Sequence, residues 1–293
     1  MISTKINNEE DTQEYLYHYT TIETLVLYIL PQKTLRFSNI RETNDPEEIY
    51  DHGFQMNDDL GGGMEPQDAF FAQFVTNQKR FADALRKAVK VLCCSQDSIP
   101  KQMDFPRNKG RGFIKPRMWA QYSDNHKGVC LVLDKKKFVE KFDDEFCDRY
   151  HLSRDVIYEY DYDKLEASVE AYTLYTSELK ENSIEKVVEN RIEKFADIYY
   201  FSKHPDWRDE NEYRFLIKDT SEENPGIGLD GILKGIIVGT RADKLLYEPI
   251  RIMSQQFSVV PELYELVYIN SDYFLFPMQK DNKIESGIPF SHL

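Results

Sequence analysis

The feature that most constrains this chain is a series of short apolar runs of strand length, spread from one end to the other. Tyr15–Tyr19, Val89–Ser95, Val129–Leu133, Glu212–Lys218 and Leu233–Val238 are each five to seven residues long. None approaches the roughly 20 apolar residues that a membrane-spanning helix needs. Helical patterns separate them, and no internal repeat or long linker interrupts the order. The expectation is therefore one α+β domain over 1–293, with a helical insertion at about 163–203.

Local signals place the other elements. Thr20-Thr21-Ile22-Glu23 has the form of a capping box, and Ile22, Leu25, Val26, Ile29 and Leu30 follow at helical spacing. That predicts a helix from about Thr21 that stops near Pro31. Thr34–Ser38 reads as a strand and Asn44-Asp45-Pro46 as a turn. Residues 51–66 read as a surface loop, after which Asp68 caps a helix carrying Phe70, Phe74, Phe81 and Leu85. Met118–Tyr122 suits a short helix ended by Gly128. Asn182 with Glu185 gives a second capping pattern, followed by the stripe Ile184, Val188, Ile192, Phe195 and Tyr199. Residues 156–160 and 264–270 are strand-like, and 242–256 helical.

Charge narrows the partners. The formal net charge is −14, which argues against a protein that coats DNA non-specifically. A local basic patch remains compatible with nucleic acid. Lys101, Arg107, Lys109, Arg111, Lys115 and Arg117 face a single acid, Asp104, within 101–117, with Phe105 and Phe113 between them. That composition suits a loop that touches phosphates and stacks on unpaired bases, with Arg107, Lys109, Arg111, Lys115 and Arg117 as contacts. It equally suits a solvated loop that balances acids at 142–145. Cys93, Cys94, Cys130 and Cys147 lack CxxC spacing, and the histidines lack ligand spacing, so no metal is expected. The polar, acidic stretch Met1–Asp11 is unlike a secretory signal, which predicts a cytoplasmic protein without a membrane partner.

Three separated pieces carry a resemblance. The first is a strand ending in Tyr17-His18-Tyr19-Thr20 with a capped helix directly after it. The second is Leu92–Ser95, then Met118–Tyr122, then Val129–Leu133; the third is Asn211-Glu212-Tyr213 at the start of a late strand. This His, Ser or Tyr, Glu order resembles the ADP-ribosyltransferase superfamily, and the opening looks like that of the DarT-type toxins that modify DNA. Phe37–Asn39, Asn44–Pro46, Met118–Cys130 and Trp207–Arg214 also resemble an uncharacterised bacterial domain family over nearly the whole chain. Two features depart from the superfamily pattern. The small residue usual after the His is Tyr19, which would crowd the nicotinamide, and the middle motif is spread over Ser95, Trp119 and Tyr122.

The resemblance implies a split β-sandwich with flanking helices. It implies an NAD-dependent mono-ADP-ribosyltransferase, a glycosyltransferase with NAD as substrate and no metal. The acceptor would be a base of single-stranded RNA or DNA, or alternatively a protein. By analogy the setting would be a bacterial toxin or phage-defence effector with a possible antitoxin partner. Glu212 would stabilise the oxocarbenium-like transition state, and Glu210 would orient the acceptor. His18, Tyr19 and Thr20 would form the first motif, with His18 on the adenosine-side ribose. Ser95 would face the ribose, Tyr122 or Trp119 would stack on nicotinamide, and Arg36 or Arg41 would pair the pyrophosphate. Blander readings stand beside these. Glu212 can pair with Arg214 or a lysine, Glu210 can be solvated, and Trp119 can be a core anchor. Other classes are a non-catalytic nucleotide sensor and a Mg²⁺ nuclease built on Asp45, Glu47 and Glu48.

Overall fold

A computed structural model describes residues 14–49, 53–61, 69–98, 110–159, 165–270 and 272–278. Nine strands form one sheet: β1 (Tyr15–Thr20), β2 (Ser38–Asn39), β3 (Val89–Gln96), β4 (Val129–Asp134), β5 (His151–Asp155), β6 (Glu212–Lys218), β7 (Leu233–Val238), β8 (Glu262–Ile269) and β9 (Asp272–Pro277). Their order is β9-β8-β7-β4-β1-β3-β6-β5, with β2 paired to β3 off that path. The β7–β8 pair is parallel, and the other pairs of this sheet are antiparallel. The architecture is thus mixed α and β. No helix among the described residues is long and apolar enough to cross a membrane.

The helices are α1 (Ile22–Thr24, Leu25–Ile29 and Leu30–Gln32, the middle piece π-helical), α2 (Pro46–Ile49), α3 (Ala69–Lys87), α4 (Pro116–Tyr122), α5 (Lys135–Glu145), α6 (Leu165–Ala171), α7 (Thr176–Glu181), α8 (Ile184–Tyr200) and α9 (Tyr247–Ser254). Side chains alternate across the sheet and feed separate cores. Leu16, Leu131, Leu133 and Phe215 join Leu25, Phe138 and Phe142 on one face. On the other face, Tyr15, Tyr17, Tyr19, Cys130 and Val132 pack with Phe113 and Trp119. Val91 and Leu216 pack there with Phe81, Leu85, Ile192 and Tyr200 of the α3–α8 pair. Because β4 is covered on both faces, its five leading residues are all apolar.

Several boundaries differ from the sequence expectation. Thr20 stays paired in β1 opposite Val129, so Thr21 caps α1, its Oγ1 accepting from the Thr24 N–H at 3.1 Å. Helix α1 runs past Pro31 to Gln32, and Lys33 closes it in the left-handed region with φ 53°. The π turn just before the proline already shifts the hydrogen-bond ladder, so a residue without an N–H is tolerated there. Ser183, not Asn182, caps α8 by accepting from the Lys186 N–H. The loop expected at 51–66 contains a strand, Gln55–Asn57, paired parallel to Thr173–Tyr175. Of the run at 156–160, Ile157–Tyr158 is strand, paired with Ser202–Lys203, and residue 160 lies outside the described residues. Over 242–256, a 3-10 turn at Lys244–Leu246 precedes the shorter helix α9. Asp68 lies outside the described residues.

The register opens a cleft. β1 pairs with β4 along all six of its residues but with β3 only at Leu16↔Gln96 and Tyr17↔Ser95. β2 takes the place beside β3 lower down, at Val91 and Lys90. Between these two contacts β1 and β3 part, and the sheet is split locally.

Candidate functional site

A cavity of about 490 Å³ lies at this split, within the size range of small-molecule sites. Tyr17–Thr20 of β1 form one wall, Val91–Ser95 of β3 another, and Met118, Tyr122, Lys203, Glu210 and Glu212 close the end. Thr24, Tyr28, Gln32 and Arg36 contribute a further side.

His18 bridges the split. Its Nδ1 is 3.0 Å from the Cys93 carbonyl, which can only accept. Nδ1 therefore carries the proton and Nε2 is left as an acceptor. Burial pushes the His18 pKa below its ordinary value, favouring the neutral ring. Thr20 also lies on the cavity wall. The Tyr19 ring turns to the opposite face of β1, where its hydroxyl donates to the Gly112 carbonyl at 2.6 Å. It meets Trp119 edge-on at 5.1 Å. Strand register puts Tyr19 on the face that carries Ser95 and Glu212, and it lines the same cavity.

The other end is a buried chain of alternating charges. A 3-10 turn, Pro205–Glu210, leads through left-handed Asn211 (φ 44°) into β6. Asparagine tolerates this conformation, and the Asn211 Nδ2 pins it by donating to the Gln96 and Asp97 carbonyls at 3.1 and 2.9 Å. Arg214 is two residues beyond Glu212 on the same strand face, and forks onto it. Nε donates to Oε1 at 2.6 Å and Nη2 to Oε2 at 3.1 Å. Arg214 Nη1 donates to the Tyr200 carbonyl at 2.6 Å. It also lies 2.5 Å from Glu48 Oε1, an ion contact without a directed hydrogen bond. Lys203 Nζ is 2.8 Å from Glu212 Oε2 and 3.0 Å from Glu210 Oε2. The Tyr122 hydroxyl donates to Glu210 Oε1 at 2.6 Å. Burial pushes the Glu212 carboxyl up, but Arg214 and then Lys203 outweigh it and hold it well below the usual carboxylate range. Burial and Glu210 together push the Tyr122 hydroxyl up. Three buried carboxylates, Glu48, Glu210 and Glu212, face two buried cations, Lys203 and Arg214, and Lys115 comes in as a third cation with its Nζ 2.8 Å from the Glu210 carbonyl.

The expected residues are partly gathered here. His18, Thr20, Arg36, Ser95, Tyr122, Glu210 and Glu212 line the same cavity. Arg36 is exposed and donates to Gln32 Oε1 at 2.9 Å. Ser95 donates to the Glu210 carbonyl, and its Oγ accepts from Lys115 Nζ at 2.9 Å. Arg41 is turned to Asp83 and away from the cavity. Trp119 is fully buried, with Nε1 donating to the Phe113 carbonyl at 2.7 Å, so it is a core anchor and not a stacking platform. Glu210 is not solvated: at 6% exposure it is held by Tyr122 and Lys203. Lys203, Arg214 and Glu48 were not legible as one cluster. Only Arg214 had a signal, its i+2 spacing from Glu212.

The basic stretch is also revised. Arg107 and Lys109 lie outside the described residues. Lys115 turns inward, donating to Ser95 Oγ and, at 2.8 Å, to the Glu210 carbonyl. Burial brings its pKa down to about 8. It braces the site instead of presenting a cation to phosphate. Arg111 pairs with Asp97 at 3.0 Å and covers the Tyr15 ring. Arg117 is more exposed, 3.5 Å from Asp209. Of the nuclease carboxylates, Glu48 is committed to Arg214, Asp45 is buried and the Glu47 side chain lies outside the described set. Among the described residues no group of three His, Cys, Asp or Glu side chains is placed to hold a metal ion.

A family profile described as "Protein of unknown function (DUF2971)" matches residues 118–215, about a third of the chain. The matched stretch runs from α4 into β6 and contains Tyr122, Lys203, Glu210, Glu212 and Arg214; His18 and Ser95 lie before it. No curated protein and no solved structure matches the chain.

Proposed function

We propose that the chain is an NAD-dependent mono-ADP-ribosyltransferase whose reaction takes place in the cleft between β1 and β3. One observation carries this reading. His18, Ser95 and Glu212 stand on three neighbouring strands, β1, β3 and β6, and line one cavity where the sheet splits. That is the order and arrangement the superfamily resemblance implies.

The chemistry of the walls supports it. Neutral His18 offers Nε2 to a ribose hydroxyl. The carboxylates at the far end, Glu210 and Glu212, suit the cationic nicotinamide ring and the positive charge that moves to the ribose as the bond breaks. Tyr122 offers a ring beside that charge, and Arg36 offers a guanidinium for the diphosphate. The acceptor we favour is an unpaired nucleic-acid base, because such a base has already left its stack. Arg117 is the described cation of the basic stretch best exposed to meet it.

Incubation with labelled NAD and RNA, DNA or cell lysate tests the reading. The expected results are nicotinamide release and label on nucleic acid. Absence of both with folded protein would overturn it, and label confined to protein would move the acceptor. A second reading, a nucleotide sensor without turnover, is favoured by one observation: both Glu212 oxygens are already engaged by cations. It predicts thermal stabilisation by NAD without nicotinamide release.

A further inference from the structure

Lys115 is the N-cap of α4, in an extended conformation (φ −91°, ψ 101°) that the following Pro116 favours. Its side chain runs to the turn before β6. Nζ donates to Ser95 Oγ at 2.9 Å and to the Glu210 carbonyl at 2.8 Å. Ser95 Oγ donates to that same carbonyl. An ammonium from the start of α4, a hydroxyl from β3 and a main-chain carbonyl from the Pro205–Glu210 turn thus close a triangle. The carbonyl belongs to the rigid peptide plane that joins Glu210 to Asn211. Holding it fixes how the chain enters β6, where Glu212 is the first residue.

An ammonium has three N–H donors and no lone pair, so it dictates the direction of the Ser95 hydroxyl. The hydroxyl proton goes to the Glu210 carbonyl and one lone pair takes a Lys115 N–H. The other lone pair is left for the cavity that Ser95 lines. Resting on the ADP-ribosyltransferase reading, we propose that Lys115 is a positioning residue for that reaction, which sets Ser95 to accept from the substrate and steadies the turn that carries Glu210 and Glu212. Glu212 remains the catalytic carboxylate.

Lys115 holds this arrangement as a cation. A neutral amine has a lone pair and can take the Ser95 proton, and the hydroxyl then releases the Glu210 carbonyl. Burial brings the Lys115 pKa down to about 8, while Asp97, Asp209, Glu210 and Cys130 pull it back up. Tyr19 of β1 meets its main chain. The clamp is therefore intact at neutral pH and loosens as pH rises past about 8.

The test follows nicotinamide release by wild type, Lys115→Met, Lys115→Gln, Ser95→Ala and Lys115→Met/Ser95→Ala between about pH 6 and about pH 9.5, beside thermal midpoints. Wild-type kcat/KM should fall above about pH 8. Lys115→Met should lower kcat at pH 7 by about 10-fold or more and show no such fall. Lys115→Gln keeps N–H donors that do not titrate, so it should recover part of the rate and also lack the fall. In the Ser95→Ala background, Lys115→Met should cost less than it does in wild type, because one of its two partners is already gone. If Lys115→Met does not fold, Lys115→Gln carries the comparison. A lysine with a merely structural role would lower the midpoint and leave the shape of the pH profile unchanged. An active wild type whose Lys115 variants keep the alkaline fall, or whose Lys115→Met keeps full kcat, would overturn this assignment alone. A wild type that releases no nicotinamide would overturn the parent reading and this assignment with it.

Discussion

Replacing Arg214 with Met tests the buried charge chain as a structural element, independently of any reaction. Arg214 is fully buried and Glu212 is 4% exposed, so solvent screens neither. Arg214→Met takes one positive charge out of the cluster that holds Glu48, Glu210 and Glu212. Removing one partner of a buried pair costs about 3–5 kcal/mol. The orphaned Tyr200 carbonyl adds to this. Taking about 4 kcal/mol, and about 2 °C per kcal/mol for a chain of this size, the midpoint should fall by roughly 8 °C. The loss should also depend on pH. Glu212 is held below its usual range when folded, so its pairing contributes stability above the ordinary glutamate value of about 4.3. That contribution disappears as pH falls toward the folded value. The gap between wild type and variant should therefore be full at pH 7 and shrink only below about pH 4.3. Glu212→Gln/Arg214→Met removes a negative charge together with the positive one and should be more stable than Arg214→Met. Thermal melts of the three proteins at pH 7 and at about pH 3 measure this. A variant within 2 °C of wild type at pH 7, with midpoint precision of about 1 °C, or a double variant less stable than the single one, would refute the reasoning.

Three further outcomes are expected. Nitrogen-15 NMR should show His18 neutral at pH 6.5 with the proton on Nδ1; a protonated Nε2 would contradict the Cys93 contact. The unfolded chain then takes up the His18 proton first, so stability falls as pH drops below about 6.5. Lys115→Met should flatten the stability profile between about 8 and the ordinary lysine value of about 10.4. Over that window the unfolded wild type binds more protons than the folded one, so wild-type stability rises with pH; identical profiles would show Lys115 to be solvated. Gly128→Ala puts a Cβ 2.3 Å from the Thr20 carbonyl, which the β1–β4 pairing holds in place. A loss of about 1–3 kcal/mol should appear as a lower melting midpoint, and a wild-type melt would contradict the close approach.

The sequence by itself determined the mixed α and β class, most strands of the sheet and the helices that cover it. Those are local matters: an apolar run such as Val129–Leu133 or a stripe such as Ile184–Tyr199 carries its period within a few residues. It also singled out His18, Ser95, Tyr122, Glu210 and Glu212, which the fold brings to one cavity. The tertiary structure alone decided what each of them touches. Whether Trp119 packs or stacks depends on which face of β1 it meets. Whether Lys115 reaches solvent depends on a carbonyl that is 95 residues away in the chain. The balance of charge around Glu212 is set by Glu48, Lys203 and Arg214, drawn from a short helix, a two-residue strand and β6. No sequence period links those three. Charge interactions act through distance and burial, and both exist only once the chain has folded.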